Sequence, residues 1–293
     1  MDVLTDVLAV LRTGRPISVI ERWHAPSARW FRPVPGAVGF RVVLRGSCVV
    51  VPASGAPVSL ESGDVVLLPH GRGHVLADSA ATAATAWPCG VATPAGAGPA
   101  IVTLCGAYEL APGGLHPLLR ELPEIVHLDT SQHAQLRDTV AMLAAELTLP
   151  GLGTDGVIPA LLDVLLHYAL RAWLVDHGPR QETGWTAALV DQPITAALTA
   201  IHRDPARPWT VASLAAIAGL SRTPFAKRFA DLTGQPPVRY LTWWRMTTAA
   251  HLLRTSDLPL RTVAGQVGYQ SEYAFAAAFK REYGAAPGRF RVS

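Results

Sequence analysis

Lysine and cysteine are nearly missing from this chain. Among 25 basic residues only Lys227 and Lys280 are lysines, and Cys48, Cys89 and Cys105 are the three cysteines. So few cysteines, and an odd number of them, exclude a disulfide framework as the source of stability. The core must then be apolar. Hydrophobic residues make up 49% of the 293 positions, enough for two ordinary domains. No run of eighteen apolar residues is free of charges or helix breakers, so no membrane-spanning helix is expected. The opening stretch, MDVLTDVLAVLRTGR, lacks the basic start and small-residue cleavage site of a secretory signal. A cytoplasmic protein without membrane attachment is expected. No Ser/His/Asp set or carboxylate pair stands out, so an enzyme is not expected.

Acidic residues are also scarce at one end. Residues 193–293 carry a net charge of +8, whereas residues 1–192 carry −5. A basic block beside an acidic one points to a polyanion as the partner of the basic one.

The pattern of apolar residues divides the chain. From about 17 to 110, short runs such as Val42-Val43-Leu44, Val49-Val50-Val51, Val65-Val66-Leu67-Leu68 and Ile101-Val102-Thr103-Leu104 alternate with Gly/Pro turns. This spacing predicts a small β-barrel or sandwich, with residues 79–100 as a long loop. A short helix within residues 1–20 leads into it. Over 115–177 the period changes. Leu136, Val140, Leu143, Ala144 and Leu147 recur at helical spacing, and so do Ile158, Leu161, Leu162, Leu165, Leu166, Ala169 and Trp173. Leu149-Pro150-Gly151 separates two helices. Residues 178–192 read as a polar linker.

Residues 193–293 contain an internal repeat. Ser213–Gly219 (SLAAIAG) is followed by Ser221, Phe225, Phe229, Gly234 and Pro237; Arg261–Gly268 (RTVAGQVG) is followed by Ser271, Phe275, Phe279, Gly284 and Pro287. Each copy reads as a short helix, a glycine turn and a second helix capped by serine, with a Phe pair at i, i+4 turned inward. These are two helix-turn-helix units. Between them Val238–Thr255 reads as a helix of about 27 Å at about 1.5 Å per residue. That length is close to one DNA turn of about 34 Å, so two reading helices could enter successive major-groove segments.

The run Tyr240-Leu241…Trp244-Arg245-Met246…Ala249…Leu252-Leu253, then Val263-Ala264…Val267-Gly268-Tyr269…Phe275…Phe279-Lys280…Gly284…Pro287, resembles the C-terminal domain of the AraC/XylS family of transcription regulators. The resemblance implies sequence-specific binding of double-stranded DNA, dimer formation and RNA polymerase as a further partner. In that family the second helix of each unit reads bases. Opposite the first Phe pair lie Arg222, Thr223 and Lys227, with Arg228 beside them; Arg and Lys suit guanine, and Thr suits the thymine methyl. Opposite the second pair lie Glu272 and Tyr273, where Glu272 can accept from cytosine, while Lys280 and Arg281 can hold phosphates. Family members often carry arginine where Ala277 stands, which weakens base reading by the second unit.

Gly63-Asp64-Val65-Val66-Leu67-Leu68-Pro69-His70-Gly71-Arg72-Gly73-His74 resembles the second motif of cupins, and the N-terminal part resembles the cupin-type sensor domain of some AraC-family regulators. The expected class is therefore α+β with several domains. These are a cupin-like barrel over 1–114, a middle helical pair over 115–177, the linker over 178–192, and an all-α domain with two helix-turn-helix motifs over 193–293. The first cupin motif is broken, with Gly39 in place of Glu and Arg41 in the core strand. Three effector classes stay open. Zinc or another divalent metal could be held by His74 with His24, His70 or Cys105. Cys89, between Pro88 and Gly90, could be oxidised. A small organic anion could pair with Arg41 or Arg72 inside the barrel. On the middle helices, Val157, Leu161, Val164, Leu165, Tyr168 and Trp173 are a candidate face for a homodimer.

Overall fold

The computed structural model describes residues 2–91, 96–110, 116–178 and 183–292. The strands are β1 (Arg12–His24), β2 (Ala28–Phe31), β3 (Ala37–Arg45), β4 (Cys48–Pro52), β5 (Val58–Leu60), β6 (Val65–Leu68), β7 (His74–Ala77), β8 (Trp87–Pro88), β9 (Ala100–Leu110) and β10 (Val126–Leu128). The helices are α1 (Val3–Leu11), α2 (Pro117–Glu121), α3 (Ala134–Thr148), α4 (Thr154–His177), α5 (Gly184–Val190), α6 (Gln192–Arg203), α7 (Val211–Ile217), α8 (Arg222–Thr233), α9 (Pro237–Thr255), α10 (Leu260–Gln266), α11 (Glu272–Tyr283) and α12 (Pro287–Val292).

The chain forms two compact units, neither continuous in sequence. One comprises Thr13–Leu110 and Leu122–Asp176; the other comprises Met1–Arg12, Ala111–Glu121 and His177–Ser293. This differs from the expected boundaries in two ways. Helices α3 and α4 belong with the barrel rather than forming a module of their own. The stretch taken as a linker contains α5, whose Trp185 is fully buried; its residues 179–182 lie outside the described residues. The apolar run Trp185–Val190 outweighs the polar residues before it.

The first unit is built on two five-stranded sheets, ordered β1-β9-β3-β6-β10 and β5-β4-β7-β2-β8. Side chains of both fill one core: Val43, Val66, Leu68 and Ile101 from the first, Cys48, Val50, Leu60 and Leu76 from the second. These residues recur at the two-residue period of strands that bury one face. The expected loop at 79–100 contains a 3-10 turn, Thr82–Thr85, and the short strand β8, which pairs in parallel with β2. Helix α4 is long and apolar enough to cross a membrane by composition, but Leu162, Leu165, Leu166, Ala169 and Trp173 are buried within the unit. Tyr108 of β9 donates to the carbonyl of Leu162, tying α4 to the sheet.

The second unit is built of helices among its described residues. The opening helix α1 buries Val3, Val7 and Leu8 in it. Below α1 a polar chain runs inward. Asp6 Oδ2 lies 3.6 Å from His202 Nδ1, and His202 Nε2 lies 2.6 Å from the Tyr240 hydroxyl. The His202 ring stacks on Trp244 at 3.8 Å. Glu121 accepts from the Trp185 amide at 2.6 Å, fixing α2 against α5.

Candidate DNA interface and barrel cavity

The repeat folds twice in the same way. Phe225 and Phe229 are fully buried with ring centroids 5.7 Å apart, and Phe275 and Phe279 repeat both the burial and the 5.7 Å spacing. Each anchors its helix by one face, which turns the opposite face outward. Arg222, Thr223, Lys227 and Arg228 on α8 are exposed, as are Glu272, Tyr273, Lys280 and Arg281 on α11. On a helical wheel Thr223 and Lys227 sit opposite the Phe pair of α8, whereas Arg222 and Arg228 lie at either side of the Phe pair itself. On α11 the central positions are Tyr273, which is 86% exposed, Ala277 and Lys280.

The flanking turns set the angle of each reading helix. Thr210 and Ser213 form a reciprocal capping box at the start of α7. Ser271 caps α11 by accepting from the Ala274 amide at 3.3 Å. Ser221 stands at the equivalent N-cap of α8, but its side chain makes no capping bond, contrary to expectation. The turn glycines Gly219 and Gly268 have φ of +66° and +81°. Gly268 is also crowded: a Cβ there would lie 2.7 Å from both the Ala206 carbonyl oxygen and Arg245 Nη2. That guanidinium is a structural clamp. Arg245 donates from Nε to the Pro205 carbonyl at 2.7 Å and from Nη2 to the Arg207 carbonyl at 2.9 Å.

Two positioning residues were not singled out from the sequence. Arg245 lies in a run whose pattern hides its role. Asp191 caps α6, accepting from the Ile194 amide at 3.0 Å, and its other oxygen holds Arg228. The signal for the cap was present, as Asp followed by Pro193 in the first turn marks a helix start.

In the barrel, a cavity of about 640 Å³ is lined by Phe31, Gly39, Arg41, Arg72, His74 and Cys89, among others. Register explains how they meet. Arg41 lies mid-strand on β3, opposite Cys105 of β9, whereas Phe31 of β2 is paired with His74 of β7 in the other sheet. The Arg41 guanidinium bridges them, 3.8 Å over the Phe31 ring and donating from Nε to His74 Nε2 at 3.1 Å. Arg41 is only 6% exposed, and among the described residues no carboxylate pairs with it. Burial, reinforced by this cation, pushes the His74 pKa down to about 3, so the imidazole stays neutral and accepts. Arg72, in contrast, points to Glu124 at 3.2 Å and is exposed.

The metal set does not come together. His74 spends the nitrogen a metal would need on a cation, and His70 Nε2 is bonded to the Leu122 carbonyl at 2.9 Å. His24 is exposed at the end of β1, and Cys105 is buried with its thiol pushed up to about 12 by burial. Among the described residues no three His, Cys, Asp or Glu side chains could hold a metal. Cys89 is exposed, but its thiol pKa is raised, mainly by desolvation, which opposes the thiolate that oxidants attack.

A cupin family model matches residues 2–175, and a helix-turn-helix domain model matches residues 214–293. The chain is 36% identical to an AraC-like transcription regulator of Streptomyces antibioticus, over 99% of this chain and 98% of that one. It is 30% identical to the HTH-type transcriptional regulator AlkR of Acinetobacter baylyi, over 85% of this chain and 86% of AlkR. Among solved structures it is similar to the DNA-binding domain of AdpA in complex with a target DNA, at 34% identity and a TM-score of 0.33. That match covers 35% of this chain and 91% of the AdpA domain. The chain belongs to the AraC-like transcription regulators and is a DNA-binding regulator with an N-terminal cupin sensor domain and a C-terminal helix-turn-helix domain.

Proposed function

We propose that this regulator reads its promoter site with the exposed faces of α8 and α11, under control of a small organic anion held in the barrel by Arg41. The observation that carries the DNA reading is the duplicated Phe anchor, which leaves equivalent faces of α8 and α11 exposed. Thr223 and Lys227 at the centre of α8 read bases, and so does Arg222 at its start. Glu272 and Tyr273 do so on α11, where Lys280 and Arg281 hold phosphate. The test is Lys227→Ala, measured on a cognate site and on random DNA of equal length. Loss of a base contact costs about 1–3 kcal/mol on the cognate site only. Equal losses on both would make Lys227 a phosphate contact.

The chain works in the cytoplasm, without enzymatic chemistry, as a homodimer. Support for the dimer comes from α4. Val157, Leu161, Val164 and Tyr168 follow the alternating four- and three-residue spacing of a helix seam, and Val157 and Val164 are 41% and 38% exposed. Leu165 and Trp173, expected on the same face, are instead buried within their own unit. Val164→Glu is expected to shift the mass measured by light scattering at micromolar concentration from dimer to monomer. An unchanged dimer would place the interface elsewhere.

A further inference from the structure

Arg228 stands apart from the other cations of α8. It occupies the flank of the reading helix, where the second copy of the repeat, fifty residues on, has the buried Ala278. Its guanidinium is turned away from the reading face. Nε donates to Asp191 Oδ2 at 2.8 Å, and Nη2 closes on the same oxygen. Asp191 is not a mobile surface partner. Its side chain is 10% exposed, and its Oδ1 is committed to the α6 N-terminus through the Ile194 amide. The helix cap therefore fixes the carboxylate, and the carboxylate fixes the arginine. A second carboxylate, Asp231, lines the same groove together with Lys227, but only Asp191 is bonded to Arg228.

We infer that Asp191 is a specificity-determining residue: by neutralising Arg228 it keeps one phosphate-seeking cation of α8 out of DNA binding. This rests on α8 being a reading helix. Phosphate contacts carry no sequence information, and a freed cation adds most on random DNA, where no base contacts hold α8 in register and the side chain can settle on the nearest phosphate. The few cations left on α8, Arg222 and Lys227, then weigh base reading against backbone attraction. With Asp191 in place the ratio of specific to random binding is high; without it Arg228 swings to the nearest phosphate and the ratio falls.

The experiment measures affinity against salt concentration on random and cognate DNA for the full chain. Asn caps helices about as well as Asp, so Asp191→Asn retains the α6 start while removing the charge; an unchanged thermal midpoint verifies this. For Asp191→Asn the expected slope of log K against log salt on random DNA steepens by about 0.9, the value for one added phosphate contact. Random-site affinity then rises several-fold at low salt, while the cognate-to-random ratio falls. Adding Arg228→Ala to Asp191→Asn restores the original slope, and Arg228→Ala alone leaves it unchanged. If Asp191→Asn leaves the slope as it was, or Arg228→Ala alone makes it shallower by about 0.9, Arg228 is not withheld and the inference is wrong. Lys227→Ala separates this failure from the failure of its premise. A loss there with a neutral Asp191→Asn overturns only the role of Asp191, whereas no effect from either removes α8 as a reading helix.

Discussion

Gly268→Ala is expected to unfold the second helix-turn-helix, whereas Gly219→Ala at the same place in the first should be mild. Both glycines have positive φ, and holding alanine in that region costs about 1–2 kcal/mol. The difference lies in the space around them. Nothing lies within 4 Å of a Cβ at Gly219, whereas one at Gly268 meets the Ala206 backbone and the Arg245 guanidinium. Displacing that guanidinium also endangers its two bonds to the Pro205 and Arg207 carbonyls. Overpacking of this kind adds about 1–3 kcal/mol, and a charged hydrogen bond is worth about 1.5–3 kcal/mol. Thermal unfolding should show a drop of about 10 °C or more for Gly268→Ala, at about 2–4 °C per kcal/mol, and a few degrees for Gly219→Ala. The DNA footprint of the first variant should shrink to one half-site. Equal drops for the two variants would mean that Arg245 is not the clamp described.

Arg41→Met is expected to abolish the response to the effector while leaving the barrel folded. A buried cation without a carboxylate partner contributes little to stability, and replacing such groups by apolar ones of similar size is often neutral or stabilising. The cost falls on binding. Loss of a charge-assisted bond of about 1.5–3 kcal/mol weakens an anionic ligand by about tenfold to a hundredfold or more. Thermal shift with a panel of small aromatic and aliphatic carboxylates reads this directly: a carboxylate that stabilises the native protein should no longer stabilise the variant. Identical shifts in the two would move the anion away from Arg41. The same substitution has a pH signature. His74 in the folded protein has a pKa of about 3, far below its ordinary value near 6.5. The unfolded chain therefore takes up a proton that the folded one refuses, and stability is lost as pH falls from about 6.5 through 3. Removing the guanidinium relieves the smaller of the two causes, so the variant should lose less stability over that window, although burial alone still depresses His74.

The helix-turn-helix pair was legible because its signals are local. Phe spacing, turn glycines and terminal prolines act within a few residues, and the structure places Phe225, Phe229, Phe275 and Phe279 as the spacing requires. The cupin-like motif was legible for the same reason, with β6, the turn and His74 at the start of β7 in their expected places. Sequence spacing could not show which side chains meet across the barrel. His24, His70, His74 and Cys105 have the chemistry of a metal site, but strand register brings Arg41 to His74 and sends the others elsewhere. The compact units differ from the boundaries expected from composition, because composition reports where polar residues cluster, not what packs on what. Trp185 follows the polar run Arg180-Gln181-Glu182-Thr183, and α1 carries no mark that its partners lie in α6 and α9. No local pattern shows that Arg228, one of the expected DNA contacts, is bonded to Asp191, 37 positions earlier.

The docking of α1 has a consequence for how the molecule comes into being. Asp6 leaves the ribosome about two hundred residues before His202, the imidazole it faces. Until then Val3, Val7 and Leu8 are greasy surface without a seat. A contact across so many residues is non-local, and its closure entropy has to be met before the contact stabilises anything. The helical unit is therefore completed only when α6 and α9 have been made, and until then its first helix waits undocked.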